Sequence, residues 1–201
     1  MVAGARRPAA RPTRRPISSA TVTDFRLVVT DRLELSATDP ARDLDGLFPI
    51  WSDPASWEHA PEYRHTEARQ TLDWLRRSAA RWRTDGLSYW TARLRGTDTV
   101  VGSGGVARRA TGSWNLLWRL DPRQRGRGLA TELGRAALDA AHAADPGSPV
   151  IAWIRSSNHS SRRLAERLGL VEHSERVDES DGVTRIPYAD RALTSLPWIG
   201  S

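Results

Sequence analysis

The chain has 201 residues, a length that suits one domain with a sizeable core. Neither cysteine nor lysine occurs in it, which excludes disulfides, thiol nucleophiles, cysteine-zinc sites and lysine Schiff bases. The formal charge is +6, but residues 1–20 hold five arginines and no acidic residue, so the remaining chain carries only about +1. A body so close to neutral argues against a nucleic-acid-binding surface.

The first twenty residues are rich in arginine and proline. Residues 1–20 are therefore predicted to form a disordered tail, and residues 21–201 the folded domain. The tail lacks the apolar centre of a secretory signal, and no stretch of the chain approaches membrane-spanning length. Five scattered histidines without an H-x-x-x-H pair predict no metal site. Together these features predict a cytoplasmic protein without membrane contact.

The first half of the chain changes between strand and helix patterns. Apolar residues at every second position indicate strands, and apolar residues that recur about every 3.6 positions indicate helices. Three glycines in the last strand of this half also predict a bulge. The predicted elements are a strand or bent strand pair at 25–36, a helix at 39–51, a second helix that Thr66 and Glu67 open and Gly86 ends, and a hairpin of strands 88–95 and 99–108.

The second half predicts a strand–helix–strand unit followed by antiparallel strands. Its second strand is almost wholly apolar, as expected for a strand that is buried on both faces and parallel to its neighbour. Pro187 is expected to limit how central the last strand can be, because proline cannot donate to a ladder. The predicted elements are strand 114–120, helix 129–144, strand 150–154 and strands 170–176 and 184–193.

A glycine-rich loop, 123–128, joins the first of these strands to its helix. Gly126 and Gly128 let the backbone turn tightly and present several N–H groups to one point, towards which the helix directs its positive end. This arrangement predicts a pyrophosphate site. A Walker loop is excluded because it needs a lysine, and Thr131 breaks the dinucleotide fingerprint. A plain turn before a surface helix is the competing interpretation.

Two motifs resemble those of the GNAT superfamily of N-acetyltransferases. The pattern Arg123-x-x-Gly126-x-Gly128-x-Ala130 is similar to the coenzyme A loop of that family. Segment 158–170, which runs from an asparagine to Leu-Gly-Leu, resembles the family's second signature and follows the loop at the family's spacing. The sequence Thr-Asp-Arg-Leu-Glu-Leu at 30–35 resembles the opening strand of the ribosomal-protein N-terminal acetyltransferase (RimJ/RimL-like) branch.

The resemblance implies an α/β (α+β) fold, a single GNAT-like domain. Its mixed, mostly antiparallel sheet would hold a central pair of parallel strands that splay apart, with helices flanking the sheet. Acetyl-CoA is the implied co-substrate: main-chain groups of 118–120 would pair with its pantetheine arm, and the glycine loop would hold its pyrophosphate. The implied acetyl-CoA-binding residues are Trp118, Arg119, Leu120, Arg123, Arg125, Gly126, Arg127, Gly128, Leu129, Ala130, Asn158 and Ser161.

Direct transfer of an acetyl group to an amine needs an acid for the departing thiolate and a base for the attacking amine. In many relatives in the family, a tyrosine at the position of Ala165 acts as the general acid. Because this chain has an alanine there, Ser161 is predicted to act as the acid instead. A hydroxyl that only caps the helix or binds the pantetheine arm is the alternative. Glu58 and His59, in the loop expected to cover the acceptor, are candidate bases, and the charged residues of 172–175 are further candidates.

The function implied by the resemblance is acetyl-CoA-dependent N-acetylation of a primary amine, either a protein N-terminus or a small molecule. A non-catalytic acyl-CoA sensor with the same fold is the alternative, because the acidic tyrosine is missing. RNA binding through the arginine-rich tail and loop is a third hypothesis, which predicts an affinity that falls steeply with salt. Trp57 is a candidate wall for an aromatic or apolar acceptor. The chain is expected to act as a monomer or a homodimer.

Overall fold

The computed structural model describes residues 24–178 and 181–193. The predicted tail at 1–20 lies outside these residues, so its disorder stays a prediction. The first half of the described chain forms β1 (Leu27–Val29), β2 (Leu33–Ala37), α1 (Pro40–Ser52), α2 (Ala68–Thr84), β3 (Tyr89–Leu94) and β4 (Val100–Arg108). The second half forms β5 (Trp114–Leu120), α3 (Leu129–Ala144), β6 (Val150–Arg155), α4 (His159–Arg167), β7 (Val171–Glu172), β8 (Arg176–Val177) and β9 (Thr184–Ala189).

The strands form one sheet in the order β1-β2-β3-β4-β5-β6-β9-β7, and β8 also pairs with β9. Only β5 and β6 are parallel; the other pairs are antiparallel. The described residues thus confirm the predicted mixed sheet with a parallel pair at its centre. The predicted bulge is also present, because the register of β3 with β4 skips Val101, beside Gly102.

Helices cover both faces of the sheet, and alternate side chains of β3 show how. Thr91 and Arg93 donate to Asp43 of α1, whereas Trp90 and Ala92 lie in the main core beneath α3. A second, smaller core between α1 and α2 consists of Leu47, Ile50, Trp51, Trp57, Ala60 and Leu75. Because alternate residues of a strand face opposite sides of the sheet, Thr91 and Arg93 face α1, whereas Trp90 and Ala92 face α3.

The helix termini follow from local chemistry. The Asp39 side chain caps α1 by accepting from Ala41 N–H at 2.9 Å. At the start of α2 the Gln70 amide oxygen accepts from Glu67 N–H at 3.0 Å, which confirms the predicted cap region. Such caps satisfy main-chain donors that have no partner inside the helix.

The strand β9 corrects the expectation drawn from Pro187. It is an internal strand, with β6 on one side and β7 and β8 on the other. The Pro187 carbonyl accepts from His173 N–H at 2.9 Å, between the two residues of β7 and those of β8. Because the N and O of one strand residue point to the same side, the missing N–H faces the gap between these two short strands. The proline therefore interrupts no ladder.

The described helices of the fold agree with the expectation that no segment is long enough to span a membrane. Within residues 24–178 and 181–193, none of the helices combines the length and the apolar character needed to cross a bilayer.

Candidate active site

The parallel strands β5 and β6 separate soon after they meet. Only Trp114 with Val150 and Asn115 with Ile151 are paired, although β5 continues to Leu120. The predicted V-shaped opening is therefore present. On its other side β5 stays paired with β4 along its whole length.

The direction of the β5 main-chain groups decides which of them the opening can use. Trp114 N–H donates to Pro149 on the β6 side, and Asp121 N–H donates to Val101 on the β4 side. Since N–H groups alternate along a strand, those of Trp118 and Leu120 face the opening. The main chain of Arg119 instead faces β4, so of the three residues expected to pair through their main chain, this one turns away.

The glycine loop follows β5 and a short 3-10 turn at Pro122–Gln124. Gly126 and Gly128 have φ angles of +77° and +75°, in the left-handed region that a side chain disfavours. Gly128 is also the N-cap of α3, so the free N–H groups of the first turn face the loop. No heavy atom beyond its chain neighbours lies within 4 Å of a Cβ built on Gly126, which leaves space for a ligand.

The three loop arginines differ in what they contact. The Arg123 guanidinium forms an ion pair with Asp121 at 2.8 Å, and Arg127 donates to Gln124. Arg125 donates to the carbonyl of Ala55, in the loop after α1. Of the three, only Arg125 lines the adjoining cavity.

Two cavities meet in the opening between β5 and β6. The first, here called the loop-side cavity, has a volume of about 560 Å³ and is lined by the glycine loop, the start of α3 and the α4 residues Ser160, Ser161, Leu164 and Arg167. The second, the strand-side cavity, has a volume of about 540 Å³ and runs between β5 and β6. Both are lined by His59, Trp118, Arg119, Asn158 and Ser161.

The start of α4 presents Ser161 at this junction. The Asn158 side chain is the N-cap and accepts from Ser161 N–H at 3.1 Å and from Ser160 Oγ at 2.9 Å. The indole Nε1 of Trp118 donates to Ser161 Oγ at 3.2 Å. Because the oxygen accepts this bond, the hydroxyl keeps its own proton to donate.

The two candidate bases lie in different environments. His59 is partly buried and lines both cavities, and burial, with Arg119 and Arg155 nearby, lowers its pKa to about 4. Its imidazole is therefore neutral at neutral pH. Glu58 is exposed and lines neither cavity. The fold thus brings only His59 to the junction.

Arg119 is held at the junction by contacts with residues that lie far from it in the sequence. Its guanidinium lies 3.6 Å from the ring centroid of Trp57 and donates to the carbonyl of Ser56. Burial, and then the charge of Arg125, lowers the Arg119 pKa to about 10, so the group remains a cation. The face of Trp57 predicted as an acceptor wall is thus partly covered by this guanidinium.

The far wall of the strand-side cavity holds charged residues that sequence reasoning missed. Arg185 pairs with Asp178 at 2.8 Å and with Asp181 at 2.6 Å, and Asp181 also accepts from Tyr63. Arg155 pairs with Glu62. Tyr63 and Asp181 are 118 positions apart, and an arginine in a strand has no distinguishing local signal.

Ala165 and the charged residues of 172–175 all lie away from the two cavities. Ala165 is fully buried in the main core and lines neither cavity. The helix therefore does not turn position 165 towards the junction, and a tyrosine placed there would overpack the core. Glu172 accepts from the buried Tyr188, and none of the charged residues of 172–175 lines either cavity.

The described residues also bear on metal binding. Within 24–178 and 181–193, no three His, Asp or Glu side chains stand close enough together to share a metal ion.

The family profile described as "Acetyltransferase (GNAT) domain" matches residues 32–171. The protein YkkB of Bacillus subtilis (strain 168) is 26% identical over 147 residues, which cover 71% of this chain and 84% of YkkB.

Solved acetyltransferase structures have a similar fold. A Bordetella pertussis protein described as a GnaT-family acetyltransferase matches with a TM-score of 0.68 and 25% identity, over 81% of this chain and 98% of its own. RimL, a ribosomal alpha-N-protein acetyltransferase in complex with coenzyme A, matches with a TM-score of 0.66 and 16% identity, over 81% of this chain and 95% of its own. At that identity the likeness to RimL concerns the fold alone.

Proposed function

The chain belongs to the acetyltransferase (GNAT) family, and on that premise we propose that it transfers an acetyl group from acetyl-CoA directly to a primary amine. The acceptor is a protein N-terminus or a small molecule. The observation that carries this proposal is the junction of the two cavities at Trp118 and Ser161. One cavity would hold the donor and the other the acceptor, so both substrates would meet at one serine hydroxyl.

The residues of the loop-side cavity fit acetyl-CoA. Arg125, Gly126, Gly128 and the first turn of α3 would hold the pyrophosphate, because they combine a cation with free N–H groups. One of the N–H groups of Trp118 and Leu120 would pair with the pantetheine arm as an added strand does, and the other would face the thioester. Bound there, acetyl-CoA supplies an activated acetyl group.

Main-chain groups would also stabilise the developing oxyanion. The N–H of Trp118 or of Leu120 faces the opening and has no β6 partner in the described ladder. A donor aimed at the oxyanion is worth roughly 3–4 kcal/mol when its geometry is ideal. This contribution needs no acidic side chain.

Two side chains at the junction would move the protons. The neutral His59 would accept the proton of the attacking amine as the C–N bond forms. The Ser161 hydroxyl would pass its proton to the sulfur as the C–S bond breaks, and it would regain a proton from water, to which His59 releases the amine's proton. With a pKa of about 4, His59 is unprotonated throughout the neutral range but is a weak base, so it would relay the amine's proton to water rather than retain it. Arg119, a nearby cation, would favour the neutral form of the amine over its ammonium.

The branch within the family is part of the proposal. Segment 30–35, which leads into β2, resembles the ribosomal-protein N-terminal acetyltransferases, and the RimL structure shares the fold. We therefore include protein N-termini among the acceptors to be tested.

The test is release of free coenzyme A from acetyl-CoA by the purified protein with a panel of amines and N-terminal peptides. We expect release that depends on an acceptor, with an acetylated product detectable by mass spectrometry. Tight acetyl-CoA binding without release for any acceptor would instead support an acyl-CoA sensor. Absence of acetyl-CoA binding would contradict both.

A further inference from the structure

The strand-side cavity is lined by more cations than anions. Among the residues that the structure describes, its lining contains Arg109, Arg119, Arg155 and Arg185 and two carboxylates, Asp178 and Asp181, which sum to a formal charge of +2. Both carboxylates are paired with Arg185. A bare alkylammonium would therefore be repelled from this cavity.

Two of these arginines donate to neutral oxygens. Arg119 donates to the Ser56 carbonyl, and Arg109 donates to Asn115 Oδ1 at 3.3 Å. In the part of the chain that the structure describes, neither has a carboxylate within ion-pair distance, whereas Arg155 is paired with Glu62. Both side chains are partly buried. A partly buried cation without a counter-charge loses some of its hydration, and a bound anion would offset that loss.

The position of Arg109 is set by side chains behind it. Asn115 Nδ2 donates to the hydroxyl of the buried Tyr89 at 2.8 Å, so the Asn115 oxygen is turned towards Arg109. This pair lies where β5 and β6 begin to separate, four residues before Arg119 on β5. Four strand residues span about 13 Å, so an anion at Arg109 would lie on the order of 10 Å from the junction at Ser161.

We propose that Arg109 forms an anion subsite, and that the acceptor carries a carboxylate or a phosphate several bonds away from its reacting amine. This inference rests on the proposed function. Arg109 would bind the anion directly. Arg119 would keep the electrostatic potential at the junction positive, which lowers the pKa of the amine and favours its neutral form. The low pKa of His59, to which Arg119 and Arg155 contribute, agrees with that potential.

Matched acceptor pairs test the subsite. The pairs are 6-aminohexanoate with 6-aminohexanamide, and 6-aminohexyl phosphate with 6-aminohexanol. We expect kcat/KM for each anionic probe to exceed that of its neutral partner by roughly 10- to 100-fold, as hydrogen bonds to a charged group contribute. The carboxylate and phosphate pairs show which anion is preferred. Calorimetric binding of the same probes to the protein saturated with coenzyme A gives a readout independent of turnover.

Variants assign the effect to Arg109. Arg109→Gln should abolish most of the preference, while Arg109→Lys should retain part of it. Arg83→Gln removes the same charge from the exposed end of α2 and should leave the preference unchanged. Thermal melting of each variant checks that it is folded.

The outcomes separate this inference from the proposed function. Equal efficiency for charged and neutral partners, or a preference that persists in folded Arg109→Gln, would overturn the subsite while acetyl transfer stands. Acetyl-CoA binding without binding or acetylation of any anionic probe would overturn it as well. Failure to bind acetyl-CoA would overturn the proposed function itself.

Discussion

The Ser161 hydroxyl does not cap α4, which was one of the alternatives that the sequence left open, because Asn158 is the cap. The main-chain N–H of Ser161 is held by the Asn158 cap, and its Oγ accepts from Trp118, so neither bond uses the hydroxyl proton. Capping by Asn158 and proton donation by Ser161 are therefore compatible. The buried position of Ala165 leaves Ser161 as the hydroxyl at the junction of the two cavities.

Ser161→Ala should lower kcat by about 10²-fold, within the range that general acids supply. Acetyl-CoA affinity should change little, because the lost interaction is made in the transition state. Turnover at saturation and calorimetric affinity are the two measurements. Ser157→Ala is the matched control, since Ser157 is exposed and lines neither cavity. A loss of affinity with unchanged turnover would mean that Ser161 only holds the pantetheine arm.

The loop between β5 and α3 depends on backbone rather than side-chain chemistry. Two of its three arginines are bound within the loop region, to Asp121 and Gln124. The glycines, in contrast, have positive φ angles and open space beside them or a single arginine side chain nearby. Affinity for a pyrophosphate should therefore rest mainly on Gly126, Gly128 and the first turn of α3.

Gly126→Val should reduce acetyl-CoA affinity by tenfold or more while the protein stays folded. The added Cβ meets no protein atom, so its effect falls on the approaching phosphate, apart from a backbone cost of roughly 1–2 kcal/mol. Gly96→Val is the control: Gly96 has a φ of +74°, also has open space beside it, and lies in the β3–β4 turn. Calorimetry should show reduced affinity only for Gly126→Val. Equal affinity in the two variants would contradict the assignment.

The segment between α1 and α2 contains two partly buried, neutral histidines. His59 and His65 both have a pKa lowered to about 4, mainly by burial, and His65 stacks on Trp51 at 4.7 Å. The unfolded chain binds these protons near pH 6.5. The unfolded state therefore gains more protons than the folded state as the pH falls from about 6.5 to about 4, and stability is lost across that window.

The melting temperature should fall by several degrees between pH 7.5 and pH 5.0, above the range in which most carboxylates titrate. In His65→Gln this fall should be smaller, because one of the two partly buried groups no longer takes up a proton. His159→Gln, at an exposed position, should keep the fall of the wild-type protein. The comparison uses the fall in melting temperature between the two pH values, rather than the melting temperature itself, because His65→Gln also loses the stacking on Trp51. An unchanged fall in His65→Gln would show that His65 does not contribute.

Local pattern was sufficient for the long elements, whereas the strand predicted at 170–176 is two short strands, β7 and β8. The strand 114–120 and the helix 129–144 occur as predicted, because their periods of 2 and 3.6 repeat over several turns or residues. The glycine loop and the Asn158 cap were likewise readable, since glycine and asparagine act on the backbone next to them. Pro187 was misjudged, because its neighbours on both sides come from segments distant in sequence.

The charged part of the site could not be derived in this way. Arg119 meets Ser56 and Trp57 more than sixty residues earlier in the chain, and Arg185 meets Tyr63 across more than a hundred. An arginine has the same local signature whether it faces solvent or a cavity, because its long side chain adopts whichever direction packing allows. Residue types and spacing thus determined the fold, the loop and the cap, whereas the packing of α1 and its following loop against the splayed strands decided which side chains meet at Ser161.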